Sequence, residues 1–332
     1  MGLFLLATLA TFQGGVSVSD YATGLRVVWD VEPVSANRVY VTERPGRVRL
    51  IQNGVLQSTP YATIPVAATG QGGLFDLCPA PDYATSKKVY LTYTVQDSGG
   101  VWLRLTECQD TGSTLTLGRV IFNGPKSNDA SHFGGRMTFG PGGNLYLTLG
   151  ERHEKEKAPD PKLPYGKVMR IDPRTRAARV YTRGHRNPYG LAYHAPTGVL
   201  AEAEHGPSGY DAPGGFDEAN ILVPSGDYGW PRVWGSMTLT GTRPPERYWE
   251  SATPPGGLVW HKNNLLMTAL GSQELWRINV QNGRVIGSAK VDGVSAGRLR
   301  GIGVLPDDSV LIGTSNGEGG SNVDKVIRVT GL

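Results

Sequence analysis

Between Ser131 and Glu151 the chain reads SHFGGRMTFGPGGNLYLTLGE. A histidine in a glycine-rich turn is followed by a short strand, a Gly-Pro-Gly-Gly turn and a second strand that ends on a carboxylate. Alternation through Arg136–Phe139 and Leu145–Leu149 predicts a hairpin, whose open ends put His132 and Glu151 at one edge of a sheet. An imidazole titrates near neutral pH, and a carboxylate beside it fixes the tautomer and stabilises the imidazolium, which is what a general base requires. A histidine bonded only to turn backbone is the other reading, and this stretch leaves both open.

Three further loops share the feature of unusual polar side chains just ahead of a strand. They are Gly70-Gln71-Gly72-Gly73, Gly184-His185-Arg186-Asn187-Pro188 and Arg298-Leu299-Arg300. Together with the His132–Arg136 loop they would line a donor-rich, cationic pocket suited to a flat ligand that carries several carboxylates. Each arginine alone reads more readily as a surface or blade-bridging residue; their recurrence in equivalent loops raises the pocket reading.

Loops can be equivalent only on a repeating scaffold, and the chain has one. Short strands begin at Val39, Val89, Leu145, Val199, Leu265 and Val310, at steps of 50, 56, 54, 66 and 45 residues. Each holds two or three β-formers, usually followed by a small or polar residue; most follow a turn and lead to a second strand. A period near fifty built from short antiparallel strands predicts an all-β fold, a six-bladed β-propeller of four-stranded antiparallel blades. A β-sandwich with insertions does not explain the spacing. In a propeller the strand-end loops of all blades converge at one end of the axis, so the pocket is expected there. A strand near Val16–Ser19 is expected to complete the last blade. The longest step contains EHGPSGYDAPGGFDEANILVPSGDYGWPRVWG, read as one long functional loop, with backbone carbonyls at its turns that suit Ca²⁺.

Composition agrees with many short elements. The 332 residues include 46 glycines and 23 prolines without collagen-like period, and no segment sustains a helical one. A net charge of +4, with acidic and basic residues interleaved, gives no support for nucleic-acid binding. The two cysteines, Cys78 and Cys108, lack metal-ligand spacing; a disulfide between neighbouring strands and two free thiols both remain open. The start, residues 1–15, is apolar but too short to span a bilayer, and reads as an export leader or an N-terminal extension ahead of a propeller over 16–332. A periplasmic or secreted location follows from the leader reading, with no membrane span.

The runs TERPGRVRLI, GQGGLFDLCPAPDY, HFGGRMTFGPGGNLYLTLGE, GHRNPYGLAY and EHGPSGY with DEANILVPSGDYGWP resemble the soluble pyrroloquinoline quinone (PQQ)-dependent aldose sugar dehydrogenases, the glucose/sorbosone dehydrogenase-like group. The resemblance extends from about Val16 to the C-terminus, and GHRNP followed by EHGP is its most specific part. It implies a six-bladed propeller, in line with the repeat, and an enzyme that oxidises the anomeric hydroxyl of aldoses to lactones. It further implies PQQ and Ca²⁺ as cofactors, an external electron acceptor, and a monomer or homodimer. Residue by residue it implies His132 as general base; Glu151 as its partner, where well-known members carry aspartate; Gln71, Arg186, Asn187, Arg298 and Arg300 on PQQ, with Arg186 beside the carbonyl that becomes anionic; and the Gly206 and Pro207 carbonyls on Ca²⁺. Asp217 and Glu218 are candidates for a second, structural metal. Two departures stand out. Ser131 replaces the aspartate of the glucose-active branch, and the lysine of the fifth-blade loop is absent near Gly271, which removes one positive charge from the cofactor site. Calcium-dependent lactonases share the architecture, but their axial Glu, Asn and Asp ligands are replaced here by Gln, His and Arg. A propeller that binds carbohydrate or protein without turnover is the remaining alternative.

Overall fold

The computed structural model describes residues 15–318 and 320–332; the apolar run at the start, but for Gly15, lies outside them. Six antiparallel sheets of at least four strands each stand around one axis. Their innermost strands are Val28–Ser35, Leu74–Pro79, Met137–Phe139, Asn187–His194, Pro255–His261 and Leu299–Val304, and each packs on the next until the last returns to the first. The ring closes as expected: Ser17–Leu25 forms the outer strand of the sixth blade, pairing with Asp324–Thr330. The unpaired edge that an open array would expose is thereby removed. The expected hairpin also forms, with Met137 opposite Leu147 and Phe139 opposite Leu145.

The repeated motif marks the second strand of every blade, and its chemistry follows from where that strand lies. Both faces of a blade are covered by neighbouring blades, so the strand is apolar on both faces rather than alternating. Val39 and Val41 enter the cluster shared with the sixth blade, whereas Tyr40 enters the one shared with the second. Likewise Leu145 and Leu147 face the second blade and Tyr146 the fourth. One apolar cluster fills each of the six gaps. Each fully buried Leu, Ile or Val stabilises the ring by roughly 1.5–3 kcal/mol.

The polar residue after these β-formers joins blades. Thr42 donates its hydroxyl proton to the Phe75 carbonyl (2.7 Å), Thr92 to Gly135 (2.6 Å) and Thr268 to Arg300 (2.6 Å), in each case on the next blade. All three threonines are fully buried, so each bond satisfies a carbonyl that water cannot reach.

One expectation changes, and one open alternative is resolved. The long step in the fourth blade is two loops and not one, because Asp217–Leu222 is the third strand of that blade, paired with Val199–His205 on one side and Arg247–Trp249 on the other. Its polar sequence hides a strand buried at every position. Asp217 accepts backbone N–H groups of Gly206 (3.0 Å) and Thr253 (2.6 Å), and the Asn220 amide nitrogen donates to Glu202 (2.7 Å), which pairs most of the polar atoms that would otherwise argue for a loop. The cysteines are not on neighbouring strands. Cys78 lies opposite Tyr90 and Cys108 opposite Val89, on either side of the second strand of their blade, and both are free thiols.

Candidate active site

The loops ahead of the innermost strands converge as the repeat requires. His132 stands in left-handed backbone (φ 47°), a conformation that turns its ring inward, and only 5 % of the residue is exposed. Its backbone N–H donates to Gln71 Oε1 (2.9 Å), and its Nδ1 bonds the Glu151 carboxylate. Glu151 in turn donates its backbone N–H to the Arg186 carbonyl (2.8 Å), while Asn187 Oδ1 accepts from Gly134 N–H (3.2 Å). Gln71, His132, Glu151, Arg186 and Asn187 therefore form one bonded group drawn from three blades.

A second histidine shows which features matter. His185 bonds Glu204 in the next blade (3.0 Å) just as His132 bonds Glu151, from the loop ahead of the innermost strand to the end of the second strand. In the first blade Glu43 occupies the corresponding strand end and accepts the Arg26 N–H (2.6 Å). A carboxylate at the second strand's end is thus a brace of this scaffold. His185 is fully buried, stacked on Tyr228 (4.9 Å), and its Nε2 bonds the Thr182 hydroxyl (2.8 Å), so both nitrogens are spent. In His132, Nδ1 is held and Nε2 has no hydrogen-bond partner among the described residues. Of the two, His132 alone keeps a lone pair for chemistry.

Electrostatics sharpen this difference. Burial, and then the nearby Arg186 charge, push the His132 pKa down to about 2, which keeps the ring neutral. Burial pushes Glu151 up to about 7, and its Oε2 is buried without a partner. A neutral imidazole with Nδ1–H on a carboxylate presents a free Nε2, and proton uptake there is compensated by the adjacent negative charge.

The arginines are less free than their sequence suggests. Arg186 donates from Nε to Asp211 (2.8 Å) and from a terminal nitrogen to Ser208 (2.9 Å) and Tyr210 (3.2 Å). Arg298 and Arg300 both face Glu318 (3.6 and 3.3 Å). Arg300 also lies over the Trp29 ring (4.7 Å), and that ring meets Tyr189, whose hydroxyl donates to Gln71 (3.4 Å). The pocket is consequently donor-rich but not strongly cationic, because Asp211 and Glu318, from later loops of the same blades, sit against its arginines. Arg136 leaves the pocket altogether. It turns into the axis, where it donates to Asp76 (3.1 Å), Asp30 (3.4 Å) and the carbonyls of Trp29, Tyr189 and Gly256. Those two axial carboxylates are thus occupied by a guanidinium.

Orphan donors at this end of the axis include Nε of Arg298, Nε of Arg300 and the Trp29 indole N–H, which are buried without partners among the described residues. Donors of this kind fit an anionic ligand with several carboxylates. Gly206 and Pro207 follow the strand Val199–His205, beyond Arg186. The Pro207 carbonyl accepts Gly215 N–H (3.2 Å) and keeps a second lone pair, and such oxygens suit Ca²⁺. Asp217 has both oxygens on backbone N–H groups, whereas Glu218 accepts Gly235 N–H (3.0 Å) and is pushed up to about 8 by burial.

Sequence reasoning missed Arg152 and His153. Arg152 lies on Phe133 (4.0 Å) and donates to the carbonyls of Ser131 (2.9 Å), Pro125 (3.2 Å), Val101 (3.3 Å) and Asp129, bracing the loop that carries His132. The His153 ring meets His132 edge-on at 4.2 Å. Their position directly after Glu151 was the available signal. Arg44, which donates to the Gly72 carbonyl (2.9 Å) and to Gly70, shapes the Gln71 turn from another blade and gave no signal.

Comparison with known proteins places these features in a wider group. Residues 25–323 match the family model described as Glucose / Sorbosone dehydrogenase. Aldose sugar dehydrogenase YliI of Escherichia coli K12 is 29 % identical over 318 residues, covering 84 % of each chain. A solved oxidoreductase of Thermus thermophilus, assigned as a glucose dehydrogenase, superposes with a TM-score of 0.87 at 36 % identity, over 95 % of this chain and all of that one. The PQQ-bound aldose sugar dehydrogenase of Streptomyces coelicolor superposes with a TM-score of 0.83 at 26 % identity, over 95 % and 98 %.

Proposed function

The chain belongs to the glucose/sorbosone dehydrogenase family, and from that premise we propose that it oxidises the anomeric hydroxyl of aldose sugars to lactones. The observation that carries the reading is His132, with Nδ1 on buried Glu151, together with its Nε2 and nearby arginine and indole donors that have no partner among the described residues. Arg298, Arg300, Gln71 and Asn187 would hold PQQ, with Arg186 alongside, and the Gly206 and Pro207 carbonyls would hold Ca²⁺. When bound, PQQ supplies the hydride acceptor and Ca²⁺ a Lewis acid.

What the chain's own residues contribute follows from their surroundings. His132 Nε2 takes the proton of the anomeric hydroxyl as the C1–H bond weakens. Glu151 holds the imidazole tautomer and stabilises the positive charge that this proton brings. Gln71 fixes the His132 backbone, and Arg152 keeps the loop from relaxing. Exclusion of water by burial makes each of these charges count for more than it would in solution. The family resemblance supports electrons passing onward to an external acceptor. Export is part of the reading, supported by the apolar run at the start and tested by fractionation of the producing cell.

Reconstitution tests the function. PQQ and Ca²⁺ are added to the purified protein and dye reduction is followed with glucose. Saturable, sugar-dependent reduction is expected, abolished by a chelator and by His132→Ala while PQQ still binds. Unchanged turnover in His132→Ala would overturn the assigned base; absence of PQQ binding would overturn the cofactor.

A further inference from the structure

Seven large apolar or aromatic side chains lie well exposed among the described residues. Tyr210 is the most exposed of them, at 67 %, and the only aromatic. It stands beside the candidate base. Its hydroxyl accepts from Arg186 (3.2 Å) and bonds His153 Nε2 (2.8 Å). His153 is itself held by Asp129 through Nδ1 (2.8 Å) and meets both rings, His132 at 4.2 Å and Tyr210 at 5.7 Å with the planes perpendicular.

Two loops are thereby linked: 206–216 of the fourth blade carries Tyr210, and the turns of the third blade carry Asp129, His132 and His153. The tie fixes the polar tip of the tyrosine; Arg186 lies over the ring at 5.9 Å and His153 at its edge, and the rest of the ring is open to solvent. An exposed aromatic side chain normally costs free energy, and one immobilised next to a binding pocket marks a surface that is covered in use. Fixing its orientation beforehand also lowers the entropy lost on binding. The hydroxyl is already engaged with protein, so what the residue offers a ligand is its π face. Aldoses present an apolar C–H face as well as hydroxyl groups, and that face is complementary to an aromatic ring.

We propose that Tyr210 is the stacking platform for the sugar, the residue at the rim of the His132 pocket on which the pyranose ring, or the second unit of a disaccharide, rests. The proposal rests on the reading of the site as an aldose dehydrogenase and deepens it. The platform recognises a C–H face rather than particular hydroxyls, so it favours sugars of different stereochemistry alike and gains most from ligands that extend beyond one ring. His153 is a positioning residue: it holds the platform and takes no part in the proton transfer.

The test compares Tyr210→Ala and Tyr210→Phe with the wild type. Glucose and maltose turnover is measured after reconstitution, and saturation-transfer NMR of maltose is recorded on the protein without added PQQ. Tyr210→Ala is expected to raise KM for maltose about tenfold, the loss of one aromatic contact and its buried area. The effect on glucose should be smaller, and kcat should stay within about twofold, the pattern of lost ground-state binding. Tyr210→Phe, which keeps the ring, should retain most of the maltose affinity and the saturation-transfer signals on the sugar C–H groups; Tyr210→Ala should lose those signals. If Tyr210→Ala leaves both KM and the NMR signals unchanged, or if Tyr210→Phe is as impaired as Tyr210→Ala, the platform is overturned. In the second case the hydroxyl's tie to Arg186 is what matters. A wild type that reduces no dye but shows Tyr210-dependent saturation transfer would overturn the dehydrogenase reading and leave the platform standing.

Discussion

Replacing Glu151 by glutamine keeps the shape of the buried pair and removes its charge. Glu151 is 1 % exposed and bonds His132 directly, so no water stands ready to compensate. Two charges about 4 Å apart interact by about 4 kcal/mol at the effective dielectric of about 20 that describes such sites. In the proposed reaction the carboxylate would stabilise the imidazolium formed in the transition state and would have little to act on while the ring is neutral. Most of that interaction therefore enters kcat. Allowing for relaxation of the pocket, kcat should fall about 10²–10³-fold in Glu151→Gln, with KM and the PQQ titration little changed. The pH profile supplies a second readout. Glu151, raised to about 7 by burial, must be ionised to support the imidazolium, so wild-type kcat/KM should decline as pH falls through about 7. That limb describes the His132–Glu151 pair as a unit, and it should disappear in the glutamine variant. Dye reduction with PQQ held saturating, measured between pH 5 and 9, gives all three quantities. A Glu151→Gln enzyme with kcat within threefold of wild type and an intact acid limb would refute the argument.

Three other outcomes follow from the same geometry. His185→Asn should lower the thermal midpoint and leave kcat within a few-fold, because both His185 nitrogens serve structure; a loss comparable to His132→Ala would contradict that division. Arg152→Ala should reduce kcat more than PQQ affinity and destabilise the fold by about 2–4 kcal/mol, since four carbonyls lose a charged donor, as calorimetry and turnover together would show. Glu202→Gln should stabilise the protein. Burial and the neighbouring Glu204 raise Glu202 well above the carboxylate range, and its Oε2 and the Asn220 Oδ1 lack partners that a glutamine amide supplies. A carboxyl whose folded pKa is raised contributes stability below its unfolded value, near 4.5, which is lost as pH rises through the folded value. Glu218, raised to about 8, acts in the same direction. The metal-free wild type should thus melt at lower temperature at pH 8.5 than at pH 5.5, and Glu202→Gln should narrow that gap and gain roughly 3 °C at the higher pH. An unchanged gap would count against it.

The architecture was legible in the sequence because a propeller blade is a local unit. Its second strand is buried on both faces, so each repeat shows the same apolar run, and the run recurs at the length of one blade. His132 and Glu151 were legible for a related reason: one hairpin joins them, and its register is set by the alternation of their own neighbours. Asp217–Leu222 was missed as a strand because its polar side chains are satisfied by Gly206, Thr253, Glu202 and Gly235, none of which the strand's own sequence reveals. Arg136 was misplaced because its partners Asp30 and Asp76 come from two other blades. Asp211 and Glu318, which temper the arginines, come from later loops of the same blades, and Arg152, His153 and Tyr210, which brace and edge the pocket, likewise act through contacts between loops. Sequence by itself pointed to the repeat, the closure of the ring and the pairing of His132 with Glu151, since each depends on contacts within one blade or between chain ends. Only the tertiary structure decided which histidine keeps a free nitrogen, how much charge the pocket carries and what stands at its rim. Those properties are set by side chains that meet from different loops, within one blade or across blades, and spacing along the chain does not reveal which loops meet.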